Sequence, residues 1–146
     1  MPALRRPSAL LSLLFVVTAA GALTSCRPPA PHTEDITIWQ RRGAWTGRGL
    51  TQTEPFISTT GLLRLTWEAR AASAPNAGTF RLILHSDVSG RPLVVVVDRH
   101  GPGHDVAYVT EDPRSFFLVI ESENLDWSVE VAEGLPGQRV VIDPPD

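Results

Sequence analysis

Leu63-Arg64-Leu65-Thr66-Trp67-Glu68 alternates apolar with polar side chains. Successive side chains of a β-strand point to opposite faces, so a period of two predicts a strand with one face buried. The pattern recurs along the chain. Phe80, Leu82 and Leu84 interleave with Arg81, Ile83 and His85, and Val106 and Tyr108 with Ala107 and Val109. Phe116, Leu118 and Ile120 interleave with Phe117, Val119 and Glu121, and Trp127, Val129 and Val131 with Ser128, Glu130 and Ala132. Residues 93–97 are apolar without interruption, which predicts a strand buried on both faces. Ile36 and Ile38 mark a first strand, residues 53–58 another that Pro55 weakens, and residues 139–142 a short last edge strand.

Turn formers separate these runs: Thr60-Gly61, Ala74-Pro75-Asn76-Ala77-Gly78, Ser89-Gly90, Gly101-Pro102-Gly103, Asp112-Pro113 and Asn124. Glycine supplies positive φ, proline presets φ, and Asn, Asp and Ser bond their own backbone, so each cluster stops a strand. No helical period is sustained. About eight short strands, roughly 10 to 15 residues apart, predict an all-β antiparallel β-sandwich, jelly-roll-like, over residues 35–142.

The ends read differently. Arg5 and Arg6 precede an uncharged run rich in Leu, Val and Ala, which ends at Leu23-Thr24-Ser25-Cys26. The run is shorter than the ~20 apolar residues of a spanning helix, so it predicts a signal peptide over residues 1–25. Residues 26–34 hold three closely spaced prolines and predict a stiff, extended tether. Residues 143–146, Asp-Pro-Pro-Asp, form a polar tail.

The chain has 146 residues and a formal net charge of −3. Without the leader, which carries two arginines and no acid, the balance is more acidic still. An acidic domain lacks the basic face that nucleic acid requires, and it has no direct attraction for anionic lipid. Every basic residue is Arg, which we read as coding bias rather than a site. Cys26 is the only cysteine, so the fold contains no disulfide.

The leader and Leu23-Thr24-Ser25-Cys26 resemble the lipobox of bacterial lipoproteins. The resemblance implies diacylglycerol on the Cys26 thiol, cleavage before it, and an N-acyl chain such as palmitate on the freed amine. Two or more acyl chains anchor durably, at ~0.8 kcal/mol per buried CH₂. The chain would then be an exported membrane-anchored lipoprotein of the cell envelope. Arg27, where an Asp would favour inner-membrane retention, tilts it toward an outer membrane. No other cofactor is expected. The run from Leu63-Arg64-Leu65-Thr66-Trp67 through Thr79-Phe80-Arg81-Leu82 and Ser115-Phe116-Phe117-Leu118-Val119-Ile120 to Trp127-Ser128-Val129-Glu130-Val131 resembles CUB-like sandwiches. It also resembles the pre-peptidase C-terminal jelly roll. Only the architecture carries over. The chain lacks the disulfides of animal CUB domains, and Arg114-Ser115-Phe116-Phe117 stands where the second family has Gly-Thr-Tyr-Tyr.

Chemistry-bearing clusters are few. Asp98, His100, His104 and Asp105 surround Gly101-Pro102-Gly103. His-x₃-His with carboxylates suits Zn²⁺ if His85 or Asp87 adds a further ligand. The alternative is a solvated hairpin loop. Asp87, Asp98, Asp105, Asp112 and Asp126 lie near strand ends, either as dispersed Ca²⁺ ligands or as turn residues. Gly-x-Ser-x-Gly and His-Glu-x-x-His are absent. Gly101-x-Gly103 lacks a third glycine, and Glu121 with Glu123 is a spacing common by chance.

Trp67 and Trp127 are in phase with the buried set and belong to the core. Trp39 is out of phase with Ile36 and Ile38. Trp45 falls in a Gly- and Arg-rich stretch over residues 41–49 that reads as a loop. It is either an exposed stacking platform or a plug over one end of the sandwich. Trp39, Trp45, Arg41, Arg42 and Arg48 form the candidate recognition surface. The expected function is a binding module for carbohydrate, peptidoglycan or an envelope protein, with no catalytic residues. The alternatives are a structural envelope subunit joined through a sheet edge, or a metal-dependent hydrolase using His100 and His104.

Overall fold

The structure, a computed structural model, describes residues 30–73 and 77–143. The expected signal peptide, Cys26, the first residues of the tether and the last three residues of the tail lie outside the described residues. The described chain forms nine strands: β1 (His32–Arg48), β2 (Thr51–Gln52), β3 (Phe56–Ser58), β4 (Leu62–Ala71), β5 (Thr79–Ser86), β6 (Pro92–His100), β7 (Gly103–Thr110), β8 (Arg114–Glu123) and β9 (Leu125–Val141).

One sheet has the order β1-β9-β4-β7; the other has β2-β8-β5-β6, with β3 also on β8. All pairings are antiparallel. The two sheets pack face to face. Leu63, Leu65 and Trp67 of β4, with Trp127, Val129 and Val131 of β9, meet Phe80, Leu82 and Leu84 of β5 and Phe116, Leu118 and Ile120 of β8. These are the alternating apolar residues of the sequence, and each buried Leu or Phe contributes ~1.5–3 kcal/mol. The Trp67 and Phe80 rings stack across the interface, 5.4 Å between centroids.

The structure departs from the sequence reading in five places. Residues 41–48 are not loop but the second half of β1, with a bulge at Arg42. The glycines there make room rather than flexibility: a Cβ at Gly43 would overlap the Trp45 indole, and one at Gly47 would overlap that of Trp127. β1 also starts at His32, within the segment expected as tether.

Residues 139–142 are not a separate strand. β9 runs unbroken to Val141, passing Pro136 opposite Thr37. Past Glu133, β9 pairs only with β1, and a segment with one free edge tolerates proline. Residues 32–40 and 133–141 thus form a two-stranded ribbon that extends the four-stranded sheet.

Residues 93–97 are not buried on both faces. They lie in β6, the outermost strand of the second sheet, where Val95 is 48% exposed and the register shifts twice. Finally, Pro55 splits the 53–58 segment. Thr53 pairs its backbone and hydroxyl with Leu118 at 3.0 Å each, and β3 resumes after the proline.

Candidate functional site

The polar half of the alternation defines the site. On the outer face of the four-stranded sheet, the register aligns Ala44, Glu130, Thr66 and Val106 across β1, β9, β4 and β7. The next row is Thr46, Ser128, Glu68 and His104. Ala44, Thr46, Thr66 and Ser128 are small, so the face sinks into a groove of about 700 Å³.

Each end of the groove is built by longer side chains. Toward the ribbon, the Arg64 guanidinium lies 4.6 Å over the Trp39 ring. Trp39 and Tyr108 are 5.7 Å apart at 57°, and Tyr108 is 64% exposed. Gly134 lies beside Trp39 in the ladder and Ala132 beside Arg64. Their small size lets the two long side chains meet across β9. A guanidinium over an indole face is held by the ring's negative quadrupole.

Three ion pairs line the face. Arg41 Nε is 3.5 Å from Glu130. Arg48 donates twice to Asp126, at 2.6 and 3.0 Å, and Arg70 twice to Glu68, at 2.8 and 3.0 Å. The bond from Arg70 holds the Glu68 carboxyl below its ordinary value, and the bond from Arg48 does the same for Asp126. All these residues are solvent-facing, so the pairs orient side chains rather than stabilise the fold.

The structure divides the sequence candidates by parity. Trp39, Arg41 and Arg48 share the outer face. Trp45 and Arg42 turn inward: the Trp45 ring lies 6.0 Å from Phe56, among partly buried residues packed on the core. Arg42 is bound to Glu133. Sequence reasoning missed Arg64, Glu68, Tyr108, Ser128 and Glu130, and named His104 only as a metal ligand. Their outward phase was readable, but which strands lie side by side was not.

Glu133 is fully buried. It accepts bonds from Ser58 Oγ (2.9 Å), Thr59 N (2.5 Å), Thr60 N (2.7 Å) and the hydroxyls of Thr59 and Thr60. Arg42 donates Nε (2.7 Å) and Nη2 to its other oxygen. Burial pushes the carboxyl up, but the Thr60 N–H, Arg42, Ser58 and Thr59 outweigh it and bring it to about 2. The residue ties β9, β1 and the β3–β4 turn together and does not line the groove.

The histidine cluster does not assemble. Asp98 and His100 end β6 in one sheet, while His104 and Asp105 begin β7 in the other. Asp98 faces Arg81 (3.6 Å), and His104 lies on the groove face opposite Glu68. His100 pairs with Thr79, at the opposite end of β5 from His85, so neither His85 nor Asp87 can complete a site. His85 stacks on Phe117, and Asp87 accepts the Ser115 hydroxyl at 2.9 Å. Asp112 pairs with Arg114. Among the described residues, no three His, Cys, Asp or Glu converge as a metal site. Comparison with protein-family models and with curated proteins gives no match.

Proposed function

We propose that this protein is a lipid-anchored binding module of the cell envelope and that the outer groove of the four-stranded sheet is its ligand site. The observation that carries the reading is the groove itself: a small-residue floor between charged walls, with the Trp39–Tyr108 aromatic pair at one end. Pockets orient ligands with a few placed polar groups beside apolar area, and Trp and Tyr provide both.

Charge narrows the ligand class. Three carboxylates on the face are ion-paired with three guanidiniums, and the fourth guanidinium, that of Arg64, lies over the Trp39 ring. A balanced face of this kind suits a neutral polyhydroxyl chain, such as a polysaccharide or the glycan of peptidoglycan, better than a polyanion. From Trp39 to Arg48 the strip is ~30 Å long at ~3.4 Å per residue, enough for several linked sugars. In this reading the groove binds and does not turn over.

The sandwich is read as a jelly roll, with β2 and β3 counted as one interrupted strand. Supporting this, the chain crosses between sheets at almost every connection, as two Greek keys require. The anchor rests on the lipobox residues, with Cys26 four positions before the first described residue.

Trp39→Ala and Tyr108→Ala should each weaken retention on insoluble peptidoglycan or polysaccharide about tenfold, the loss expected of a central aromatic anchor. Val88→Ala, on a distant exposed turn, should not. Equal retention of all three would defeat the site. Separately, Cys26→Ser should abolish both incorporation of labelled palmitate and removal of residues 1–25; normal processing of the variant would defeat the anchor.

A further inference from the structure

We infer that β1 is a homodimerisation edge, through which two copies join their four-stranded sheets into one continuous sheet. The inference rests neither on the groove nor on the anchor.

β1 ends its sheet, and its in-sheet neighbour is β9. Between His32 and the bulge at Arg42 its free edge is regular and contains no proline. Natural sheets usually blunt such edges, because the unpaired N–H and C=O groups template another strand. Both edges of the second sheet are blunted: β6 opens with Pro92 and shifts register twice, and β2 and β3 are two and three residues long; in the first sheet β7, at eight residues, is shorter than β1.

The same segment is the ribbon arm. Two strands alone are marginal in water, and a third is needed for stability. A second copy supplies it, producing the order β9-β1-β1-β9 at the junction.

Charge selects the register. Glu34 and Asp35 lie at one end of the free edge and Arg41 at the other. A two-fold axis makes the pairing antiparallel and isologous. Centring it on Ile38 sets Asp35 opposite Arg41 of the second copy, twice per dimer. Centring on Thr37 sets Asp35 against Trp39, and centring on Trp39 carries the pairing across the bulge. Opposite charges directly across a ladder attract, and like charges repel. The Ile38 register also covers an exposed apolar residue, since Ile38 is 50% exposed and would face its own copy. Present contacts of these charges are surface ones that rearrange readily: Asp35 accepts Gln138 Nε2 at 3.2 Å, and Arg41 is 3.5 Å from Glu130.

The test uses the full chain carrying Cys26→Ser, purified in detergent, so that no native thiol remains. Sedimentation velocity should show a monomer–dimer equilibrium. Asp35→Arg should weaken it about tenfold or more, and adding Arg41→Asp should restore it. Ile38→Cys should give a disulfide-linked dimer on mild oxidation. Thr46→Cys should not, since the two thiols would be ~50 Å apart in the proposed pairing. The crosslink reports register without altering charge, so it stands even if a reversal variant fails to fold. A monomer at every concentration, a dimer indifferent to charge reversal, or equal crosslinking through Thr46→Cys would overturn the inference.

Discussion

Glu133 shows how one residue can be readable in phase and unreadable in role. It continues the inward series Trp127, Val129, Val131, so parity alone places a carboxylate inside. Its donors come from residues 58–60, more than seventy positions earlier, and from Arg42. A buried charge survives only when its bonds are complete. Its folded-state pKa of about 2 lies below the ordinary 4.5. The stabilisation is therefore full above about pH 4.5 and fades as pH falls toward 2. The shift corresponds to on the order of 3 kcal/mol. Glu133→Gln should lower stability at pH 7 by that order. The gap to the native chain should more than halve by pH 3, as read from urea melts at both pH values. A pH-independent gap would mean the carboxylate is not ionised in the fold.

At the scale of the element, β1 is where local reading and tertiary structure part. Gly43, Gly47 and their arginines look like a loop, because glycine is depleted in strands and costs about 0.5–1 kcal/mol there. The structure uses the missing side chains as seats for two indoles. Gly43→Val therefore raises intrinsic strand propensity yet should destabilise the domain by ~1–3 kcal/mol, since the Trp45 ring must leave its seat. The shift should appear in tryptophan fluorescence together with a lower urea midpoint. An unchanged or higher midpoint would show that propensity governs β1 after all. Arg42 occupies the bulge that turns its side chain toward Glu133 while Arg41 stays outside. No sequence signal marks that one-residue offset.

At the scale of the molecule, the groove depends on a floor of small residues from three strands. Ser128 lies at its centre, between Thr46 and Glu68. Ser128→Arg should fill the groove and abolish retention on the probe polymer. The unfolding free energy from urea melts should hold within ~0.5 kcal/mol, because the side chain faces solvent. Loss of both would mean the position supports the fold rather than a ligand.

The sequence by itself determined the all-β class, most strand positions, the core set and the inward phase of Trp67 and Trp127. Hydrophobic alternation is a local record of which face each side chain takes. Tertiary structure alone decided which strands are neighbours. It assembled the groove from β1, β4, β7 and β9, placed His100 and His104 in different sheets, turned Arg42 inward and exposed the edge of β1. Strand adjacency is set by pairing between distant segments, and a period of two carries no information about the partner.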